Sequence, residues 1–205
     1  MTASQAFLKG IMLTIFSAPK PFTNPHISLI QGNAIRSWLG LGAEVNVLVV
    51  GDEPGLAEAA DGLQVRWISG VERNSHGTPR LDSIFHLART ASSQPLMAYV
   101  NADILLLPDL VEAARAVQAE CADFLMVGQR WDLGVANLLE GGEAGQRVLR
   151  DRVAREGVLH PAGGSDYFVF PRQCFADLPA FAIGRSGWDN WMIYHARRNR
   201  WPVVD

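Results

Sequence analysis

The chain has 205 residues, of which 18 are Lys or Arg and 21 are Asp or Glu, giving a formal net charge of −3. That length suits one domain with an ample core, and 48% hydrophobic with 19% charged residues excludes a disordered or fibrous chain. No basic excess exists to drive binding to nucleic acid phosphates, so no nucleic-acid partner is expected.

The apolar run Ile11 to Phe16 predicts a strand buried on both faces, ended by Pro19 and Pro21. Asn24-Pro25 reads as an N-cap and first-turn proline for a helix carrying Ile27, Ile30, Ala34, Ile35 and Trp38. A second buried strand, Val45 to Val50, is closed by Gly51-Asp52-Glu53-Pro54-Gly55, and an alanine-rich helix leads to a strand at Val65 to Ile68. Leu81, Ile84, Phe85 and Ala88 form a helical stripe before the strand Leu96 to Val100. Leu110, Ala113, Ala114 and Val117 mark the next helix, entered through Pro108-Asp109, and Phe124 to Val127 the next strand. This alternation predicts an α/β fold: a Rossmann-like, mostly parallel sheet with helices on both faces.

After Gly128 the rhythm breaks. A charged helix over Gln146 to Arg155 precedes an aromatic strand at Tyr167 to Phe170, which predicts a mixed, antiparallel C-terminal extension over one end of the sheet. Trp188, Trp191, Met192 and His195 stripe a last helix, with Arg197, Arg198 and Arg200 near its C-terminus, and Trp201 to Asp205 enters a strand.

Cys121 and Cys174 lie far apart with no ligand spacing around them, so they read as small hydrophobes rather than a disulfide or a zinc site. The five histidines show no metal spacing, and no phosphate loop, zinc helix, nucleophile elbow or EF-hand loop occurs. Gly40-Leu41-Gly42 follows a helix and precedes a strand, the reverse of a dinucleotide fingerprint. Gly10 to Ala18 is short and holds polar residues, so it reads as the first strand rather than a signal peptide, and no stretch approaches a membrane span. A cytoplasmic protein is expected.

Ligands of open α/β sheets bind beyond the carboxyl ends of the strands. There, Val100-Asn101-Ala102-Asp103 places two oxygen-bearing side chains two residues apart at the end of a buried strand. Such a pair suits a hard divalent cation that needs few protein carboxylates because phosphate oxygens and water complete its shell. The segment YVNADILLLPD (99–109) resembles the DXD-type element of GT-A-fold glycosyltransferases, with Asn101 where the first aspartate often stands. FSAPKPF (16–22), TPRLDSIFHLA (78–88), GSDYFVFPR (164–172) and GWDNW (187–191) fall in the order such enzymes use. The resemblance covers nearly the whole chain.

It implies one GT-A-like domain over 1–205, with a nucleotide-binding half (1–127) and an acceptor-side half (128–205). Asp103 would bind Mn²⁺ or Mg²⁺ bridging the donor diphosphate; Asn101 would hydrogen-bond the ribose or donor sugar, and Ala102 lies between them. Ser17, Ala18 and Pro19 would line the base and ribose, and Arg80 and Asp82 would approach the nucleotide or sugar; Asp82 alternatively reads as an N-cap. Asp166 would bring a carboxylate to a sugar hydroxyl, or simply make a turn. Asp189 resembles the general base of inverting members, or caps its helix. Arg130, Trp131, Asp132 and Trp188 are acceptor-side candidates, while Trp191 and Met192 read as core.

The expected function is metal-dependent transfer of a sugar from a nucleoside diphosphate, UDP for preference, to a hydroxyl acceptor. The alternatives are a non-catalytic nucleotide-sugar or glycan binder, suggested by Asn101, and a sugar-nucleotide pyrophosphorylase, for which the loop after the first strand offers only Lys20. The family often supplies a further metal ligand, commonly histidine, beyond the last helix and strand.

Overall fold

The protein is described by a computed structural model covering residues 12–205. Gly10 and Ile11, at the start of the expected first strand, lie outside the described residues.

Strand β1 (Leu13–Ser17) runs into helix α1 (Pro25–Leu39), then β2 (Val45–Val50), α2 (Leu56–Leu63) and β3 (Arg66–Ile68). Helix α3 (Leu81–Ala91), β4 (Leu96–Val100), α4 (Asp109–Glu120) and β5 (Leu125–Val127) continue the alternation. Local chemistry explains the boundaries. Asn24 caps α1 by accepting hydrogen bonds from the His26 and Ile27 amides at 2.9 and 3.2 Å, with Pro25 in the first turn.

The remaining elements are β6 (Trp131–Asp132), α5 (Gly142–Glu156), β7 (Val158–Leu159), β8 (Tyr167–Pro171), α6 (Trp188–Arg198) and β9 (Val203–Val204). Seven strands form one sheet in the order β3-β2-β1-β4-β8-β5-β9, while β6 and β7 pair separately. Within the large sheet β8 alone is reversed: it runs antiparallel to β4 and β5, and the other pairings are parallel. The mixed character expected of the second half is thus present, but β8 is inserted inside the sheet instead of lying over its end.

Alternating side chains divide the core in two. On one face Ile15, Val49, Ala98 and Val169 pack under α1 and α4 through Trp38, Ile35 and Val111. On the other, Phe16, Tyr99, Phe168 and Phe170 pack under α3 and α6 through Phe85, Trp188 and Met192. Both faces are covered, which is why these strands read as continuous apolar runs.

Candidate functional site

Strand β1 leads through α1 to β2 on one side, whereas β4, its other neighbour, leads through α4 to β5 on the opposite side. Loops leaving their carboxyl ends in opposite directions open a crevice between them. A cavity of about 450 Å³ occupies that place, and residues from both halves of the chain wall it.

The loop after β1 is fixed from behind. Gln31, buried on α1, accepts from the Lys20 amide at 2.7 Å and donates to the Lys20 carbonyl at 3.0 Å. Ala18, Pro19 and Lys20 consequently line the cavity, and among the described residues Lys20 is the only cationic side chain that does so. Ser17 does not line it. Fully buried, its hydroxyl donates to the Val100 carbonyl at 2.6 Å and ties the ends of β1 and β4 together.

After β4, Asn101, Ala102 and Asp103 all line the cavity. The Asn101 amide donates to the Asp166 carbonyl at 2.9 Å and its side-chain Nδ2 donates to Asp166 Oδ1 at 2.8 Å. Asp103 is exposed and has no hydrogen bond or ion pair among the described residues. Burial, with a smaller push from the Asp103 charge, raises the Tyr99 phenol well above its usual range, so Tyr99 is a neutral wall of the cavity.

Asp166 also lines the cavity, but both its oxygens are occupied: Asn101 donates to one and Arg130 to the other. Asp189 stands in the first turn of α6, where Oδ1 accepts from the Gly187 and Asn190 amides at 3.2 and 2.8 Å. This is the helix-end contact expected of an N-terminal acid. It leaves Oδ2 without a partner among the described residues, in a residue that lines the cavity. Gly187 precedes the helix at φ 108°, a left-handed conformation that a side chain would strain. Trp188 lines the cavity while its ring packs edge-on against Tyr99, 5.2 Å between centroids.

The other expected site residues are not brought to the cavity wall. Arg80 occupies the N-cap position of α3, with no side-chain cap, and pairs with Asp82 and Glu72. Its hydrogen bond to Asp82, set against some desolvation, raises the guanidinium further above its usual range. Asp82 is therefore an ion-pair partner rather than the N-cap. Arg130 and Asp132 form an ion pair behind the wall, and Trp131, 53% exposed, lies on the outer β6–β7 pair. The His160 hydrogen bond, then Arg130, holds the Asp132 carboxyl below its usual range. Of the residues that matter here, sequence reasoning missed Gln31; a glutamine on the apolar stripe four residues after Ile27 was the available signal.

No group of three or more His, Cys, Asp or Glu side chains able to hold a metal by themselves occurs among the described residues. The chain matches no protein-family model and no curated protein. Solved structures do match. A Desulfovibrio desulfuricans G20 protein assigned as a nucleotide-diphospho-sugar transferase superposes with a TM-score of 0.57 at 14% identity, over 95% of this chain and 79% of that one. The fold is the GT-A fold. Glucosyl-3-phosphoglycerate synthase from Mycobacterium tuberculosis, in complex with Mn²⁺, UDP-glucose and phosphoglyceric acid, gives 0.56 at 18% identity over 95% and 70% of the two chains. The 4-diphosphocytidyl-2C-methyl-D-erythritol synthase of Anaerococcus prevotii DSM 20548 gives 0.57 at 9% identity over 96% and 87%. A GT-A fold is thus shared by enzymes of different chemistry, and the side chains of the cavity must choose between them.

Proposed function

We propose that this protein is a glycosyltransferase that moves a sugar from a nucleoside-diphosphate donor, UDP-linked for preference, to a hydroxyl acceptor. The observation that carries the reading is the pair Asp103 and Asp189: two carboxylates on one cavity of a GT-A fold, neither paired with a cation among the described residues. Carboxylates on a cavity wall that no side-chain cation engages are available to a ligand or its metal ion.

The donor set around Asp103 fits Mg²⁺ or Mn²⁺ as a site shared with substrate. Such ions take one or two carboxylates and complete their shell with phosphate oxygens and water, so a three-residue protein cage is not required. Asp103, with the Asn101 amide oxygen beside it, would hold the ion, which when bound neutralises charge on the departing diphosphate. Lys20 would supply a second positive charge from the loop fixed by Gln31. Asp189 Oδ2 would accept the proton of the acceptor hydroxyl as that oxygen bonds to the anomeric carbon and the carbon–oxygen bond to the diphosphate breaks, as inversion requires. Asp166 would serve by holding Asn101, since its own oxygens are already engaged.

The M. tuberculosis synthase, whose complex contains UDP-glucose and Mn²⁺, supports this choice of donor. The A. prevotii synthase favours a second reading, nucleotidyl transfer with release of pyrophosphate. A single cationic side chain, Lys20, on the cavity wall weighs against it, because a triphosphate substrate carries more charge to neutralise. Calorimetric titration of UDP, GDP, ADP and CDP with and without Mn²⁺ tests the proposal. One diphosphate should bind selectively and more tightly with metal; no binding by folded protein would overturn it, and binding without transfer would favour a glycan or nucleotide-sugar binder.

A further inference from the structure

Arg130 lies outside the cavity, yet each of its three guanidinium nitrogens is committed to a different residue. Nε donates to Asp132 Oδ1 at 2.7 Å, Nη1 to Asp166 Oδ2, and Nη2 lies 3.2 Å from His160 Nε2 and 2.9 Å from Nδ1. His160 Nδ1 is also 2.8 Å from Asp132 Oδ2. A carboxylate accepts and cannot donate, so Nδ1 carries the hydrogen that goes to Asp132, and Arg130 Nη2 lies against the ring within reach of both its nitrogens.

The same logic fixes Asn101. Asp166 accepts from Arg130 on one oxygen and from Asn101 on the other, so the Asn101 amide must turn Nδ2 toward it. Asn101 Oδ1 is then the amide atom left without a partner among the described residues, in a residue that lines the cavity. Gly164 permits this closeness: a Cβ there would meet His160 Cδ2 at 2.6 Å. The cavity-lining stretch Gly164 to Asp166 therefore runs directly over the Arg130–His160 pair.

We propose that Arg130 is a positioning residue: through Asp166 it sets the amide of Asn101 in the cavity, joining the outer β6–β7 pair to the residue that follows β4. The chain of contacts runs His160, Asp132, Arg130, Asp166, Asn101, and its links are charge-assisted, the strong class of hydrogen bond. The consequence for nucleotide binding rests on the donor-site reading above, whereas the relay itself does not.

The test therefore has two arms. In the first, without ligand, the Asn101 side-chain amide is followed by ¹⁵N NMR and identified as the cross-peak missing from Asn101→Ser. Arg130→Gln should shift that resonance and speed its exchange with water, and Arg130→Lys, which keeps the charge, should restore much of the native signal. An Asn101 amide indifferent to both substitutions overturns the relay. In the second arm UDP with Mn²⁺ is titrated. Arg130→Gln should weaken affinity about tenfold, as expected for loss of a charge-assisted contact, but less than about twofold in an Asn101→Ala background. Equal losses in both backgrounds would mean that Arg130 acts as a general structural support and not through Asn101. A wild-type protein that shows the Arg130-dependent amide and binds no nucleoside diphosphate upholds the relay while sinking the proposed function.

Discussion

Asn101 and Asp166 are joined twice, by a backbone hydrogen bond of 2.9 Å and by a side-chain amide-to-carboxylate bond of 2.8 Å. The pairing accounts for asparagine at a position where the resembling family often has aspartate. A second carboxylate here would lose the bond and face Asp166 as a like charge.

Asn101→Asp should therefore lower the free energy of unfolding by about 1–3 kcal/mol, the cost of a broken polar pair with charge involved. Urea denaturation in the presence of EDTA measures it without interference from a bound ion. The double variant Asn101→Asp/Asp166→Asn restores an amide–carboxylate pair with reversed polarity but takes the carboxylate away from Arg130, so it should recover only part of the loss. Wild-type stability in the single variant would show that Asp166 does not select the residue at 101.

Ser17 offers a separation of roles. Its buried hydroxyl bonds to the Val100 carbonyl, so Ser17→Ala should cost about 1 kcal/mol and leave diphosphate affinity unchanged. A large loss of affinity at undiminished stability would instead make Ser17 a ligand contact.

The strands that carry the site were legible because burial on both faces leaves long apolar runs, as at Leu96 to Val100. The same property hid the direction of β8, since a buried strand has one pattern whether it runs parallel or antiparallel. Strands β6 and β7 were not legible, being two exposed residues each. The rule that ligands bind beyond strand ends singled out Asn101 and Asp103, and the first turn of a helix singled out Asp189; all three line one cavity, but nothing in the spacing showed that Arg80 and Asp82 would pair with one another. Apart from Arg130 and Asp132, which are close neighbours in sequence, the Arg130 relay joins partners 28 to 65 residues apart in the chain, a distance across which spacing carries no signal.

Stability should depend on His195. Its ring stacks on Trp191 at 4.6 Å and packs against Phe175 and Trp201, and burial, reinforced by the nearby Arg198 charge, lowers its pKa from the ordinary 6.5. The native state then binds fewer protons than the unfolded chain. The stabilising contribution is complete above about pH 6.5 and is lost as pH falls through that value toward the lower native pKa. Melting temperature measured from about pH 8 down to pH 5, above the carboxylate range, should decline, and His195→Phe should flatten the decline. Parallel curves for the two proteins would show that His195 is not the titrating group.

Asp103 and Asp189 should separate binding from chemistry. Asp103 lines the cavity after β4 with its carboxylate free among the described residues, whereas Asp189, also on the cavity, uses Oδ1 to hold the start of α6 and leaves Oδ2 without a partner among them. Asp103→Ala should abolish the Mn²⁺-dependent gain in diphosphate affinity and, with it, turnover. Asp189→Asn keeps an oxygen for the helix-end contacts while removing the base, so diphosphate should bind with wild-type affinity and kcat should fall by about 10²–10⁴-fold, the usual contribution of a positioned base. A variant that instead lost diphosphate binding in step with kcat would place Asp189 on the donor, and the proton of the acceptor hydroxyl would have to go elsewhere.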